Sequence, residues 1–267
     1  MSTSNQSDLP PFDVFDLKYT QPPNPSFTFG EPLTATPEGQ KWAEAEAEGW
    51  KTVDAAQEDP RLLYALCTSG IVPRPVAFVS TIAEDGTENI APFSWFNQVS
   101  AHPPVISVAF AGSPRHKDSG NNIRATKGFT VNIISEPWIA QANAASIDAP
   151  PGVSEWDLSG LTREPSVFVK PARVKESAFS IECELLQNIE IKDASGVVTA
   201  NLVLGTIKYI HVRKAVLNER GLVDPAKLKA VARMGDITYV KLGDGYRIPR
   251  PVWAEEEEKI QKALNLS

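Results

Sequence analysis

Apolar and polar positions along the chain first fall into a regular rhythm at 76–82, where VAFVSTI is rich in β-branched and aromatic residues, as a strand is. Asp85-Gly86 follows as a turn signal and the chain returns through 89–91, so the segment predicts a β-hairpin. Further strands are predicted at 105–110 and 129–134, with a short helical stretch at 119–125 between them. The run 179–191 alternates cleanly. Phe179, Ile181, Cys183, Leu185, Ile189 and Ile191 share one face and Ser180, Glu182, Glu184 and Glu190 the other, which predicts a strand with one wet face. By contrast, 202–212 is apolar on both faces, the pattern of a strand buried from two sides, and a last strand is predicted at 237–242.

Helical signals sit mostly outside this β region. Residues 1–30 are polar, proline-bearing and aperiodic, an arm whose Phe12, Phe15 and Phe27 are expected to pack onto a surface. From Thr36 a helix is predicted, with Thr36 as cap, Pro37 in the first turn, and Trp42 and Trp50 on nearly one face turned toward the body of the protein. The stretch DPRLLYALCTSG is a short apolar segment ended by Gly70, and the prolines after it force an extended entry into the first hairpin. DPAKLKAVAR reads as a helix capped by Asp224 with Pro225 in its first position. The acidic-to-basic tail PVWAEEEEKIQKALNLS reads as a solvated or dimer-bracing helix. Six or more strands with only short helices predict a mainly β protein, a β-barrel with appended helices.

Length and charge narrow the function classes. A chain of 267 residues with 42% hydrophobic and 22% charged positions is long enough for a substantial core. Its net charge of −7 and sequence pI near 5.1 argue against nucleic acid as a partner. The start lacks a basic and apolar leader pattern, and no apolar run approaches the roughly 20 residues of a membrane span, so a cytoplasmic protein without membrane contact is expected. Cys67 and Cys183 are far apart and are expected to be buried small hydrophobes rather than a disulfide or metal pair.

The usual nucleotide signatures and the nucleophile elbow are missing. His102, His116 and His211 lie far from one another and from ligand-spaced cysteines or carboxylates, so no metal site is expected. What stands out is the first hairpin: Ser80, Thr81, Asn89, Ser94, Asn97 and Gln98 offer hydroxyls and amides at strand ends, interleaved with Phe93, Trp95 and Phe96. Aromatic walls with a few fixed donors suit a flat polar heterocycle, although such residues also serve as ordinary loop and cap groups. Downstream, Arg115, Lys117 and Ser119 ahead of a short helix are groups that suit a phosphate.

The ordered series PRPVAFVST (73–81), DGTENIAPFSWFN (85–97), HPPVISVAF (102–110), KDSGNNI (117–123) and FTVNIIS (129–135) resembles the flavin reductase-like family of FMN-binding split barrels. The likeness continues through EWDLSGLT, ESAFSIECELLQNIEI, LVLGTIKYIHV and VARMGDITYV, roughly 62–242. It implies a six-stranded antiparallel Greek-key barrel over 61–243, preceded by an N-terminal extension with a helix (1–60) and followed by a helical tail (244–267). It further implies a homodimer with noncovalent FMN in a groove near the dimer interface. Carried over by position, Arg74, Ser80 and Thr81 meet the flavin from the first strand, and Asn89, Ser94, Phe96 and Asn97 form the second contacting motif. Lys117, Asp118 and Ser119, with Arg115 nearby, lie on the phosphate side. Ser119 replaces the commoner Thr but keeps the hydroxyl, and Trp95 stands where a smaller aromatic is usual, which narrows the site.

The expected function is that of an FMN-dependent oxidoreductase moving hydride from NADH or NADPH to free flavin or a small organic acceptor. Two alternatives are a dedicated reductase of one organic substrate and a non-catalytic flavin carrier or sensing module. The hydride step needs no protein acid or base. His102 and His116 are the candidates for protonating a substrate.

Overall fold

Seven strands join into one antiparallel sheet in the computed structural model, which describes residues 9–14, 16–112, 115–150 and 152–264. They are β1 (Ala77–Ile82), β2 (Glu88–Phe93), β3 (Phe96–Ala101), β4 (Pro104–Ala111), β5 (Gly128–Ile133), β6 (Phe179–Lys192) and β7 (Val198–Val212), in the order β2-β1-β5-β6-β7-β4-β3. The sheet's two edges, β2 and β3, are consecutive in the chain and separated only by Ser94 and Trp95. A sheet whose edges are tied by two residues must curl round on itself, and β2 duly meets β4, the neighbour of β3. The barrel architecture is thus as expected, with one strand more than the implied six. The extra strand is β3, whose polar Asn97, Gln98 and Ser100 hide it from an alternation reading.

The alternation of β1 explains how two cores are served by one strand. Ala77 and Val79 face the barrel interior with Val108, Phe110, Phe129 and Val203, while Val76 and Phe78 face an outer cluster with Ile90, Trp138 and Trp156. Burying each large apolar side chain contributes roughly 1.5–3 kcal/mol. Inside the barrel the fit is close: a Cβ on Gly205 of β7 would stand 2.5 Å from the Phe129 ring.

Two burial expectations are corrected. The face of β6 expected to be wet is dry at Ser180 and Glu182, which are 1% and 0% exposed: the 167–169 loop caps Glu182, and Ser180 Oγ donates to Asn132 Oδ1 of β5. Register shifts at Glu182/Cys183 and Leu185/Gln187 then break the alternation, and Ile189 and Ile191, assigned to the apolar face, are exposed. On β7, Val203 is buried, but Tyr209 and Ile210 are exposed, so the strand is not covered on both sides along its whole length.

The chain falls into two compact units, Pro60–Leu242 and a second made of Met1–Asp59 with Gly243–Ser267. In the first, α2 (Pro60–Gly70) leads into Arg74–Pro75, which pairs with Val231–Arg233, itself paired with Tyr239–Lys241. Residues 231–233, expected to continue a helix, are therefore strand; the helix α6 is only Pro225–Leu228, capped by Asp224 Oδ1 accepting from Ala226 N. The helices α3 (Asp118–Thr126), α4 (Ile139–Ala144) and α5 (Glu155–Ser159) complete the unit, α3 and α5 both packing on the β1–β2 hairpin. Cys183 is buried in the barrel, whereas Cys67 on α2 is exposed, contrary to expectation.

In the second unit α1 (Pro37–Glu44) begins as expected, with Thr36 Oγ1 accepting from Gly39 N. It ends earlier than predicted, passing through a 3₁₀ turn to Gly49 at φ +81°, so Trp50 lies outside the helix and both Trp42 and Trp50 are exposed. Phe12 and Phe27 are more than half exposed, and Phe15 lies outside the described residues. Tyr19–Thr20 pairs in parallel with Gly245–Tyr246, and α7 (Trp253–Ala263) closes the unit. Among the described residues no helix is long and apolar enough to cross a membrane.

Candidate functional site

The N-terminus of α3 lies against the β1–β2 hairpin, and the hairpin register decides which side chains meet it. Thr81 and Asn89 are directly paired. Thr81 Oγ1 accepts from Asn122 Nδ2 of α3 at 3.0 Å. The Asn89 amide satisfies both ends when its oxygen accepts from Ser119 Oγ at 2.8 Å and its nitrogen donates to Glu155 Oε2 at 3.2 Å. Gly120 permits this closeness, since a Cβ there would stand 3.3 Å from Phe110 in the barrel core. Lys117 is the helix cap residue yet no side chain caps the first turn, which leaves the leading amides of α3 unmatched by a side chain.

Two cations stand at that helix end. Arg115 Nη1 lies 3.3 Å from both Asp118 carboxylate oxygens, and its Nη2 lies 3.2 Å from Asp148 Oδ1. Lys117 Nζ is 3.5 Å from the same Asp148 oxygen. These groups, with Asn89, Ser119 and Glu155, line a hollow of about 80 Å³. Glu155 is 6% exposed; burial pushes its carboxyl above the usual range, and the Asp118 charge adds to the effect against the pull of the Ile90 amide.

A larger hollow of about 240 Å³ adjoins the first, sharing Pro92 and Ser146 in its lining, and the two adjoining hollows make up the candidate groove. Tyr64, Ser94, Asn143, Arg233 and Tyr239 line it, and the Arg233 guanidinium stacks 4.5 Å from the Tyr239 ring centre. Beside it Trp95, 42% exposed, lies near Tyr64 with ring centres 6.4 Å apart. Arg74 forms the floor. Its Nη1 donates to the carbonyls of Thr68 and Ile71, its Nη2 to Met234 O at 2.8 Å, and its Nε to Ser94 Oγ at 3.3 Å. Arg74 thus fastens α2, the 234–238 turn and the β2–β3 corner together.

The groove therefore gathers Arg74, Asn89, Ser94, Arg115, Lys117, Asp118 and Ser119 from the predicted set, with Thr81 tied in through Asn122. Six of the predicted residues, Thr81 among them, do not line it. Ser80 is buried with its hydroxyl unpaired, Phe96 packs against the barrel core, Asn97 is exposed on β3, and His102 is exposed in the turn after β3. His116 is near the cations in sequence but outside the lining, its Nδ1 buried without a partner. Glu155, Asp148, Ser146, Arg233 and Tyr239 were not singled out from sequence; Glu155 opens the EWDLSGLT stretch and Arg233 and Tyr239 lie in VARMGDITYV, which are the local signals. A cleft of about 570 Å³ formed by 82–86, 125–128 and 168–171 holds none of the predicted residues. Among the described residues no group of three or more His, Cys, Asp or Glu is arranged to hold a metal ion.

Residues 69–228 match the model of the flavin reductase like domain. The chain belongs to this family. An uncharacterized protein of Aquifex aeolicus is 36% identical over 187 residues, 69% of this chain and 92% of its own length. Among solved structures, nitrilotriacetate monooxygenase component B from Bacillus cereus is 30% identical with a TM-score of 0.72, covering 75% of this chain and 99% of its own. The 2-nitrobenzoate 2-nitroreductase NbaA of Pseudomonas fluorescens shares the fold at 24% identity and a TM-score of 0.66, covering 76% and 98%. The seven-stranded sheet of this flavin reductase-like domain is thus the family's barrel, and the small hollow at α3 lies within the matched residues.

Proposed function

We propose that this groove holds FMN noncovalently and that the protein passes hydride from NADH or NADPH to free flavin or to a small organic acceptor. The observation that carries the reading is the convergence of Arg115, Lys117, Ser119 and the uncapped first turn of α3 at one end of a groove whose other end is lined by Tyr64, Tyr239 and hydroxyl and amide groups. That donor set fits a phosphate monoester: two cations, one hydroxyl and helix amides offer charge-assisted hydrogen bonds from several directions. An exposed carboxylate, Asp148, already sits between the two cations, so an anion is accommodated there. The small hollow at α3 gathers Arg115 and Lys117 into one cluster of cations, which supports FMN over FAD.

When bound, the flavin supplies the two-electron chemistry. The chain's part is position. Ser94 Oγ accepts from Arg74, which leaves its own hydrogen free to donate into the groove, and Arg74 is in turn locked by three carbonyls. Neither His102 nor His116 lines the groove, so the protonation role considered for them is not retained. The test is to denature the purified protein and identify the released flavin, then to reduce the holoprotein anaerobically with each nicotinamide. Predominant FAD, or no flavin after reconstitution, overturns the cofactor reading; bound FMN that neither nicotinamide reduces favours a carrier.

A homodimer is part of the proposal. Val99 on β3, with Leu186, Ile189 and Ile191 on the outer half of β6, leaves a set of apolar side chains exposed in the single chain. A second copy would cover them, twofold dimers being the commonest closed assembly.

A further inference from the structure

The most unusual feature of the groove is that its cations are already engaged. Arg115 has Asp118, three residues on at the start of α3, as a partner at 3.3 Å, so neutralising Arg115 does not require a second carboxylate. A second one is present all the same: Asp148 places one oxygen 3.2 Å from Arg115 Nη2 and 3.5 Å from Lys117 Nζ, bridging the two groups that face the hollow. Asp148 reaches them from the link between α4 and α5, which Arg115 also grips through Ala149 O at 3.3 Å. Its side chain is 72% exposed, and among the described residues its side-chain partners are these two cations. The cations in turn hold its carboxyl below the usual range, Arg115 first and Lys117 next, so it stays ionised at neutral pH.

Resting on the FMN reading above, we infer that Asp148 is an internal stand-in for the phosphate, a built-in competitor that the incoming group must displace. Two negative groups cannot share one position between the same pair of cations. A phosphate monoester, with a charge near −2 at neutral pH, outbids a single carboxylate for Arg115 and Lys117, whereas an uncharged ribityl end does not. Asp148 thereby makes binding depend on the phosphate, and it sets the affinity lower than the cations alone would give. Ser146 lies on the same link and lines both hollows, so release of Asp148 frees part of the wall of the larger one.

The experiment compares the wild-type protein with Asp148→Asn, stripped of flavin, in binding FMN, riboflavin and inorganic phosphate, by flavin fluorescence and by calorimetry. Removing two exposed ion-pair contacts should tighten FMN and inorganic phosphate by about threefold or more and leave riboflavin unchanged. Riboflavin is also the control for folding. Equal or weaker FMN and phosphate binding in the variant overturns the inference while leaving the FMN reading intact. If neither protein binds flavin but the variant still gains affinity for inorganic phosphate, the FMN reading fails and the role of Asp148 as an anion mimic stands. Phosphate binding that ignores the substitution overturns it in either case.

Discussion

Glu182 Oε1 and His211 Nε2 lie 2.7 Å apart on the paired strands β6 and β7, and the same carboxylate accepts from three successive amides, Val167, Phe168 and Val169, at 2.6–3.0 Å. Glu182 is fully buried, so burial alone would push its carboxyl up. The three amides and His211 outweigh that and hold it below its ordinary value. One side chain thereby orders a loop that has no regular structure of its own.

Replacing Glu182 with Gln should destabilise the protein by about 2–3 kcal/mol at neutral pH, because buried amides lose their charged acceptor. The sign of the pH dependence follows from the lowered value. The folded state holds the ionised form more firmly than the unfolded chain, so this contribution is fully present above about pH 4.3 and lost as pH falls through the lower folded value. Urea unfolding of both proteins between pH 7 and pH 3 should show a gap that narrows on acidification; a gap that widens would be incompatible with an ionised Glu182.

Arg74→Lys should cost about 2–4 kcal/mol, since an ammonium cannot span Thr68, Ile71, Met234 and Ser94 together and buried carbonyls go unmatched. Its effect on flavin affinity should be equal for FMN and riboflavin, because the guanidinium serves the groove's walls. Thermal unfolding with parallel flavin titrations checks both parts.

Lys117→Ala should weaken FMN binding tenfold or more with little effect on riboflavin, as a charge-assisted contact worth roughly 1.5–3 kcal/mol is lost. Fluorescence titration with the two flavins decides the matter. Equal weakening would assign Lys117 to folding instead.

For the proposed dimer, Ile189→Glu should produce monomers, because an exposed apolar position on β6 would become a charge in the contact between copies. Light scattering across a dilution series, with the flavin spectrum recorded at each step, reports whether monomers keep FMN. A variant that stays dimeric would place the contact elsewhere.

How far the sequence foretold this molecule depends on how local each cause is. The β1–β2 hairpin was legible because Asp85-Gly86 and its alternating flanks lie within a dozen residues or so, and the caps Thr36 and Asp224 because each acts on an amide two or three positions on. Strand β3 was not, since its place comes from pairing with β4 and not from its own polar pattern. Glu182 looked solvent-facing because its partners lie on a loop 13 to 15 residues earlier and on the next strand. The phosphate-side cluster was visible as a run around Lys117, but Asp148 and Glu155 reach it from 30 or more residues away, from the link after α4 and from the start of α5. Arg74 was found for its place in a motif, while the carbonyls that engage it emerge only with the fold.

The β6–β7 hairpin, turned at 193–197 by an Asp193 that accepts from Ser195 and Val197 amides, sits at the middle of the sheet although it is made last. Until residue 212 has left the ribosome, the earlier strands can pair only as two separate pieces, β2-β1-β5 and β4-β3, with no backbone ladder between them. Each piece presents a bare edge and half a core. The hairpin then joins both at once, so nascent chains stopped before it should be handled by chaperones as unfinished protein, and completion of the barrel should come as a single late event.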